Sequence, residues 1–179
     1  TNQRTGYSIV LDTINKERTI LTYKGANNNV EFNSQLKNIQ TKWFYYSSIL
    51  EKGFDTQKKL ARLKIKEDVK LAFNPSQYLI ENENIKELLA LTEVLVLNKE
   101  EAETLREKLN LKSVNTVHAL HTAGPRIVVI TDGKNKIECY TMYQKKYYSL
   151  VPHAIKVVEK TGAGDAFAAG FVAMQMKGK

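Results

Sequence analysis

The sequence predicts an α/β protein with a mostly parallel sheet flanked by helices and a small β lid at its N-terminal end. Short apolar strands alternate with helical segments along most of the 179 residues, and this order of elements builds a parallel sheet. Two strands precede the alternation, and an antiparallel pair interrupts it near the end. We therefore divide the chain into a lid segment over residues 1–30 and a core over residues 31–179.

The lid contains predicted strands at residues 7–11 and 18–23, joined by a polar turn and followed by a loop at 25–29. Four short, apolar segments are the predicted parallel strands: 43–47, 69–73, 93–97 and 126–131. The last two are almost wholly apolar, as a sheet buried on both faces requires. The predicted helices are 34–39, 55–65, 85–91, 99–109 and 113–123. An antiparallel pair covers 136–142 and 146–151, and a final helix starts near Gly164.

The composition indicates which compartment and which partners to expect for the protein. Apolar residues make up 42% and charged residues 26% of the chain, which is typical of globular proteins. No apolar run is long enough to cross a bilayer and no signal peptide opens the chain, so we expect no membrane partner. The single cysteine, Cys139, excludes an internal disulfide and favours a reducing, cytoplasmic location. Its alternating segment predicts a buried strand residue, not a catalytic thiol.

The net charge of +8 raises the hypothesis of a nucleic-acid partner. Much of the excess lies in one helical segment, at Lys58, Lys59, Arg62, Lys64 and Lys66. A solvated helix face explains these cations without a ligand. Because no DNA- or RNA-binding motif accompanies the charge, we expect no nucleic-acid partner.

Residues 161–165, Thr-Gly-Ala-Gly-Asp, predict an anion site beside a carboxylate. Gly162 and Gly164 let the backbone approach a ligand, and the following helix directs unpaired N–H groups toward it. A carboxylate repels phosphate, so Asp165 indicates a base that deprotonates a hydroxyl while amides around Ala163 hold negative charge. The alternative is a close-packed helix start. We favour function because a base and an oxyanion site occur together.

Two further polar groups follow predicted parallel strands: Asn98 with Glu101, and Thr131 with Gly133. The carboxyl ends of parallel strands meet at one edge of a sheet, where ligands bind. Each group also has a structural explanation, since Asn98 and Glu101 fit a capping box and Asp132-Gly133 fits an ordinary tight turn. Their coincidence with the glycine motif favours a ligand site at this edge.

Other common site patterns are missing from the sequence. His118, His121 and His153 form no metal-ligand spacing with Cys139, so a zinc site is not expected. No Ser-His-Asp pattern is recognisable, and neither glycine-rich stretch continues into the Lys-Ser or Lys-Thr of a Walker phosphate loop.

Residues 159–167 closely resemble the signature of the ribokinase-like, or PfkB, carbohydrate kinases, usually written Asp-Thr-x-Gly-Ala-Gly-Asp. Residues 98–101 resemble the Asn-x-x-Glu motif of that family, and residues 129–133 its nucleotide-contacting Thr-x-Gly strand end. Asn74-Pro75 matches a pair found after a central strand in many members. Residues 17–19 and 25–27 resemble the lid hairpin and its return. The resemblance covers almost the whole chain.

This resemblance implies a ribokinase-like fold and transfer of the ATP γ-phosphoryl group to a hydroxyl of a sugar or nucleoside. Asp165 would be the general base, and the amides of Gly162, Ala163 and Gly164 would form the anion hole. The physics agrees, because phosphoryl transfer depends on positioning and charge neutralisation. A non-catalytic sugar- or nucleotide-binding module of the same fold is the alternative.

The remaining implied roles concern the cofactor and the substrate. Asn98 and Glu101 would position Mg²⁺ through water, and Thr131 and Gly133 would lie against the nucleotide. Asn27, in the return from the lid, is a candidate substrate contact.

The chain also departs from the family. Glu159 and Lys160 replace the usual Asp and Thr, which argues against the monovalent-cation site of relatives. Lys160 could equally contact a phosphate or face solvent.

The family's N-terminal substrate motif and C-terminal helices are missing, and the chain starts at Thr1 without methionine. We therefore expect an incomplete domain that is inactive on its own. Because exposed strands seek partners, we also expect a homodimer through the lid strands.

Overall fold

The computed structural model describes residues 3–12, 18–156 and 161–178. Strands β1 (Tyr7–Asp12) and β2 (Arg18–Tyr23) form a separate antiparallel sheet, which confirms the predicted lid pair. The polar turn predicted between them, including Glu17, lies outside the described residues. A 3₁₀ helix over Gly25–Asn29 and helix α1 (Ser34–Lys37) connect the lid to the core.

The core contains one six-stranded sheet in which every strand lies beside its neighbour in the chain. Its strands are β3 (Trp43–Tyr46), β4 (Lys70–Phe73), β5 (Val94–Asn98), β6 (Ile127–Asp132), β7 (Lys136–Thr141) and β8 (Lys146–Leu150). Strands β3 to β6 are parallel, whereas β7 and β8 are added antiparallel. The predicted mostly parallel sheet with antiparallel additions is confirmed.

Six further helices flank this sheet: α2 (Glu51–Lys64), α3 (Gln77–Asn82), α4 (Lys86–Ala90), α5 (Lys99–Lys108), α6 (Thr116–His121) and α7 (Ala163–Met176). Helix α2 begins earlier than predicted and is followed by a 3₁₀ turn over Ile65–Glu67. Helix α3 was not predicted; Ser76 caps it, and Leu79 and Ile80 are buried beneath it. No helix in the described ranges is long and apolar enough to span a membrane.

The helices form two layers because of the strand order. Right-handed crossovers between consecutive neighbours place every connecting helix on the same face. Phe54 of α2, Leu88 of α4 and Leu105 of α5 accordingly share one buried cluster with the sheet. Helix α7 covers the other face and buries Ala168 and Val172 in a second cluster. This burial on both faces explains why β5 and β6 are almost wholly apolar.

The basic segment of α2 is more extensively paired than a solvated face requires. Lys58 lies 2.8 Å from Asp55, and Arg62 pairs with Glu87 of α4. The prediction of a solvated face is wrong for Lys64, because its side chain is only 4% exposed and its ammonium group lies 2.8 Å from Glu67. Its aliphatic stem packs inward while the charged end reaches a carboxylate, as amphipathic side chains do near apolar surfaces.

Candidate active site

The predicted anion loop forms the N-terminus of α7. Gly162 is the N-cap, with a left-handed φ of 76° that favours glycine, and its carbonyl accepts the N–H of Ala166 at 2.9 Å. A Cβ atom added at Gly162 or Gly164 would meet no atom within 4 Å. The first N–H groups of this 14-residue helix are unpaired within it and lie at its positive dipole end. The loop can therefore be approached closely by an anion.

Asp165 lies in the first turn of α7 and is exposed. Burial raises the pKa of Glu101, at the start of α5, and that of Tyr45, in β3, and the negative charge of Asp165 raises both further. Such coupling needs short separations, since the Coulomb interaction weakens with distance and screening. Gln175, near the end of α7, lines a cavity with Lys70 and Glu93 beside the amino ends of β4 and β5, so the start of α7 lies toward their carboxyl ends. The fold therefore brings Asp165 and Glu101 to one corner of the sheet edge, although they are far apart in the chain.

Asn98 and Glu101 form a capping box, which the sequence indicated as the structural alternative to a ligand site. The side-chain oxygen of Asn98 accepts the N–H of Glu101 at 2.8 Å, and the N–H of Asn98 donates to Glu101 Oε2 at 2.9 Å. These two bonds satisfy two otherwise unpaired backbone donors of α5. The same bonds fix the Glu101 carboxyl group at the carboxyl end of β5.

The environment of the Glu101 carboxyl group also favours a positive charge beside it. Burial raises its pKa, the charges of Glu100 and Asp165 raise it further, and backbone hydrogen bonds from Asn98 and Gln77 oppose the rise. A nearby positive charge would stabilise the ionised form of this half-buried carboxyl group. The Gln77 contact comes from α3, the helix that sequence reasoning missed. Ser76, a good N-cap before apolar Leu79, was the available signal.

Thr131 and Gly133 lie at the same edge, one strand further along. Thr131 pairs with Asn98 in the β5–β6 register, and its hydroxyl lies 3.5 Å from the Leu97 carbonyl oxygen. Gly133 has a φ of 52°, and an added Cβ atom would meet nothing within 4 Å. Its neighbour Asp132 is held by Lys99 Nζ at 3.1 Å. The tight turn is therefore present, and Gly133 borders open space.

Two predicted groups fall outside this corner. Asn27 contacts the lid and α2: its N–H donates to the Lys24 carbonyl at 3.0 Å, its side chain lies against Gly6, and its carbonyl oxygen lies near Gly53. No described contact joins Asn27 to the start of α7. Glu159 and Lys160 lie outside the described residues, so the expectations about a cation site and a phosphate contact there stay predictions.

The donor set at this corner suits a metal bound mainly by another molecule. In the described ranges, no group of three or more His, Cys, Asp or Glu side chains could hold a metal ion. Mg²⁺ commonly keeps several waters and binds through one or two carboxylates together with phosphate oxygens. The fixed carboxyl group of Glu101 fits that outer role, with Asn98 beside it.

The described chain has the ribokinase-like α/β fold. Ribokinase from Thermotoga maritima is similar with a TM-score of 0.80 and 18% identity, over 100% of this chain and 59% of that chain. Adenosine kinase from Anopheles gambiae is similar with a TM-score of 0.81 and 20% identity, again over 100% of this chain and 59% of that one.

The chain belongs to the pfkB family of carbohydrate kinases, which it matches over residues 1–179. A cytidine kinase from Thermococcus kodakarensis is 31% identical over 125 residues, which cover 68% of this chain and 44% of the relative. The chain thus spans less than half of this relative and 59% of the two solved kinases above. The family resemblance seen in the sequence is confirmed.

Proposed function

We propose that the full-length protein containing this chain is an ATP-dependent kinase that phosphorylates a hydroxyl group of a sugar or nucleoside. The observation that carries the proposal is the convergence of Asp165, the N-terminus of α7 and Glu101 at one corner of the sheet edge. A base, a set of N–H donors and a fixed carboxyl group are the parts that phosphoryl transfer to an alcohol needs.

Asp165 is the proposed general base. The carboxyl group is exposed at the first turn of α7, where an acceptor hydroxyl can reach it. A carboxylate oxygen accepts the proton of a hydroxyl group in general base catalysis. Asp165 would take the hydroxyl proton as the acceptor oxygen attacks phosphorus.

The backbone amides of Gly162, Ala163 and Gly164 are the proposed anion hole. They belong to the N-cap and the first turn of α7, where backbone N–H groups have no partner within the helix. Preorganised N–H donors stabilise negative charge on the oxygens of a transferring phosphoryl group without reorganising during the reaction. The space around the Cβ positions of Gly162 and Gly164 supports this role, because an added Cβ atom would meet nothing within 4 Å.

Glu101 and Asn98 would hold Mg²⁺ through water, and Thr131 and Gly133 would lie against the nucleotide. Bound ATP with its Mg²⁺ would supply the γ-phosphoryl group and part of the charge neutralisation. Glu101 would orient the water shell of the metal with a carboxyl group that its capping bonds hold still.

Among acceptors, we favour nucleosides alongside simple sugars. The relatives include a cytidine kinase at 31% identity and an adenosine kinase from Schistosoma mansoni in complex with 2-fluoroadenosine, at 25% identity and a TM-score of 0.78.

We place the protein in the cytoplasm, because free Cys139 suits a reducing compartment. We propose neither a nucleic-acid nor a membrane partner.

We also propose that the lid is a dimer surface. Cross-strand pairing puts Tyr7, Ile9, Leu21 and Tyr23 on one face, where all four are more than 40% exposed. The Tyr7 and Tyr23 rings lie 5.3 Å apart and widen this apolar face. Pairing with a second lid would cover it and the exposed strand edges.

The experiment is an acceptor panel with the full-length protein. Sugars and nucleosides are incubated with ATP and Mg²⁺, ADP release is followed, and the phosphorylated product is identified by mass spectrometry. We expect turnover with at least one acceptor. Binding of an acceptor by calorimetry without turnover of any member would instead support the non-catalytic binding module.

A further inference from the structure

A row of polar side chains follows one face of the sheet at the carboxyl edge, and it extends beyond the predicted site. Ala72, Val96 and Val129 are buried in the cluster beneath α7. Side chains two residues apart lie on the same face of a strand. Asn74, Asn98 and Thr131 therefore follow on that face, in three successive strands.

Tyr45 adds the fourth member of this row, on β3. Trp43 packs against the α7 cluster, so Tyr45, two residues on, lies on the same face. Tyr46 points the other way and is buried in the opposite cluster. Tyr45 is 41% exposed, so its side chain is partly packed and partly open to solvent at the edge.

A chain of hydrogen bonds fixes the direction of the Tyr45 hydroxyl. Asn74 Nδ2 donates to the Val96 carbonyl oxygen at 2.8 Å, and Tyr45 Oη lies 3.1 Å from Asn74 Oδ1. The reversed amide would set Asn74 Oδ1 against the Val96 carbonyl oxygen, two acceptors with no proton between them. Tyr45 must therefore donate its proton to Asn74. The lone pairs of the Tyr45 oxygen remain free to accept a hydrogen bond.

This acceptor atom lies on the face of the sheet that α7 covers, and α7 carries the proposed base in its first turn. Burial and the negative charge of Asp165 both raise the pKa of Tyr45, so the phenol keeps its proton at neutral pH. A neutral, oriented oxygen on the same face and at the same edge as a carboxylate suits a ligand that carries a second hydroxyl group. One hydroxyl would donate to Asp165 and the other to Tyr45.

We propose that Tyr45, held by Asn74, is a specificity-determining residue of the acceptor site and accepts a hydrogen bond from a second hydroxyl, in addition to the one that is phosphorylated. The acceptor class is then a polyhydroxylated molecule, such as a sugar or a ribonucleoside, and not an isolated alcohol. This inference rests on the proposed function and adds to it the feature that the site recognises.

The test compares Tyr45→Phe with Tyr46→Phe in the full-length protein. Tyr46 is a matched control on the opposite face, and its hydroxyl has no hydrogen-bond partner in the described part of the chain. Steady-state constants are measured for the acceptor, for its deoxy analogues and for ATP. Loss of one neutral hydrogen bond predicts an acceptor KM raised about fivefold to tenfold in Tyr45→Phe, with kcat and the KM for ATP unchanged.

The deoxy analogues distinguish recognition from general damage. The analogue that lacks the recognised hydroxyl should have the same KM with the wild type and with Tyr45→Phe, because the bond is already lost. Tyr46→Phe should behave as the wild type toward every compound. An unchanged acceptor KM in Tyr45→Phe, with an active wild type, overturns this inference and leaves the kinase proposal intact.

Two other results would also count against it. A uniform loss of kcat together with a raised KM for ATP would make Tyr45 a structural residue and overturn the recognition role. A wild type that turns over no acceptor would overturn the proposed function, and this inference with it.

Discussion

Replacing Glu101 with Gln and with Ala separates its structural role from its proposed role in catalysis. The Glu101 side chain caps α5 by accepting the N–H of Asn98 at 2.9 Å, and we propose that it also orients Mg²⁺. Glutamine keeps an oxygen that can accept the same N–H, since Gln serves as well as Glu at this capping-box position. Alanine removes both the capping bond and the charge.

The expected stabilities follow from the capping bond and the pKa. The pKa of Glu101 is raised in the folded protein, mainly by burial, so the folded state binds the Glu101 proton more tightly than the unfolded chain. Ionising the group therefore lowers stability as pH rises from the ordinary Glu pKa through the raised one. Glu101→Gln should be at least as stable as the wild type at pH 7, and this advantage should vanish below the ordinary pKa. Glu101→Ala loses the cap, about 1 kcal/mol, or roughly 2–4 °C in Tm for a chain of this size.

The assay combines thermal unfolding at pH 7 and pH 4 with turnover at several Mg²⁺ concentrations, in the full-length protein. We expect Glu101→Gln to lose about tenfold to a hundredfold in activity while its Tm is retained, as for groups that orient a metal shell. Wild-type turnover of Glu101→Gln at every Mg²⁺ concentration would refute the metal role and leave only the cap. A fall in Tm equal to that of Glu101→Ala would refute the capping argument.

Two further predictions concern the anion loop and the free thiol. Gly162→Ala should cost about 1–2 kcal/mol of stability, because φ at 76° strains an L-residue although the added Cβ atom meets nothing within 4 Å. Chemical denaturation measures this cost, and a neutral change would show that the loop adopts another conformation. Burial raises the pKa of Cys139 to about 11, so roughly one thiol in a thousand is ionised at pH 8. Labelling with a thiol reagent should therefore be slow until denaturant is added; rapid labelling of the folded protein would contradict the half-buried position in β7.

The mostly parallel sheet could be predicted from the sequence because the apolar segments that form β5 and β6 are compatible with few other structures. Their consecutive apolar residues suit only a sheet covered on both faces, and α7 and the crossover helices supply that cover. Helix α3 could not be predicted in the same way. Its six residues follow Asn74-Pro75 and are too few for a helical period to emerge, so packing of Leu79 and Ile80 decides its conformation.

The candidate site was predictable only in part, for a related reason. Asn98 and Glu101 were recognisable because a capping box and the family motif use the same residues, and the structure contains that box. Tyr45 was not recognisable, since an aromatic residue in a strand is usually core. Its position opposite Ala72 and its bond to Asn74 depend on strand register, which spacing along the chain does not reveal.

The central claim, that Asp165 is the base of a kinase, is tested most directly by Asp165→Asn in the full-length protein. The exposed position at the start of α7 makes this near-isosteric change compatible with the fold, and unfolding curves provide the control. Single-turnover phosphorylation of the preferred acceptor is measured beside ATP binding by calorimetry. Loss of a general base predicts a rate lower by about 10²–10⁴ with ATP affinity retained. A wild-type rate in Asp165→Asn would contradict the account.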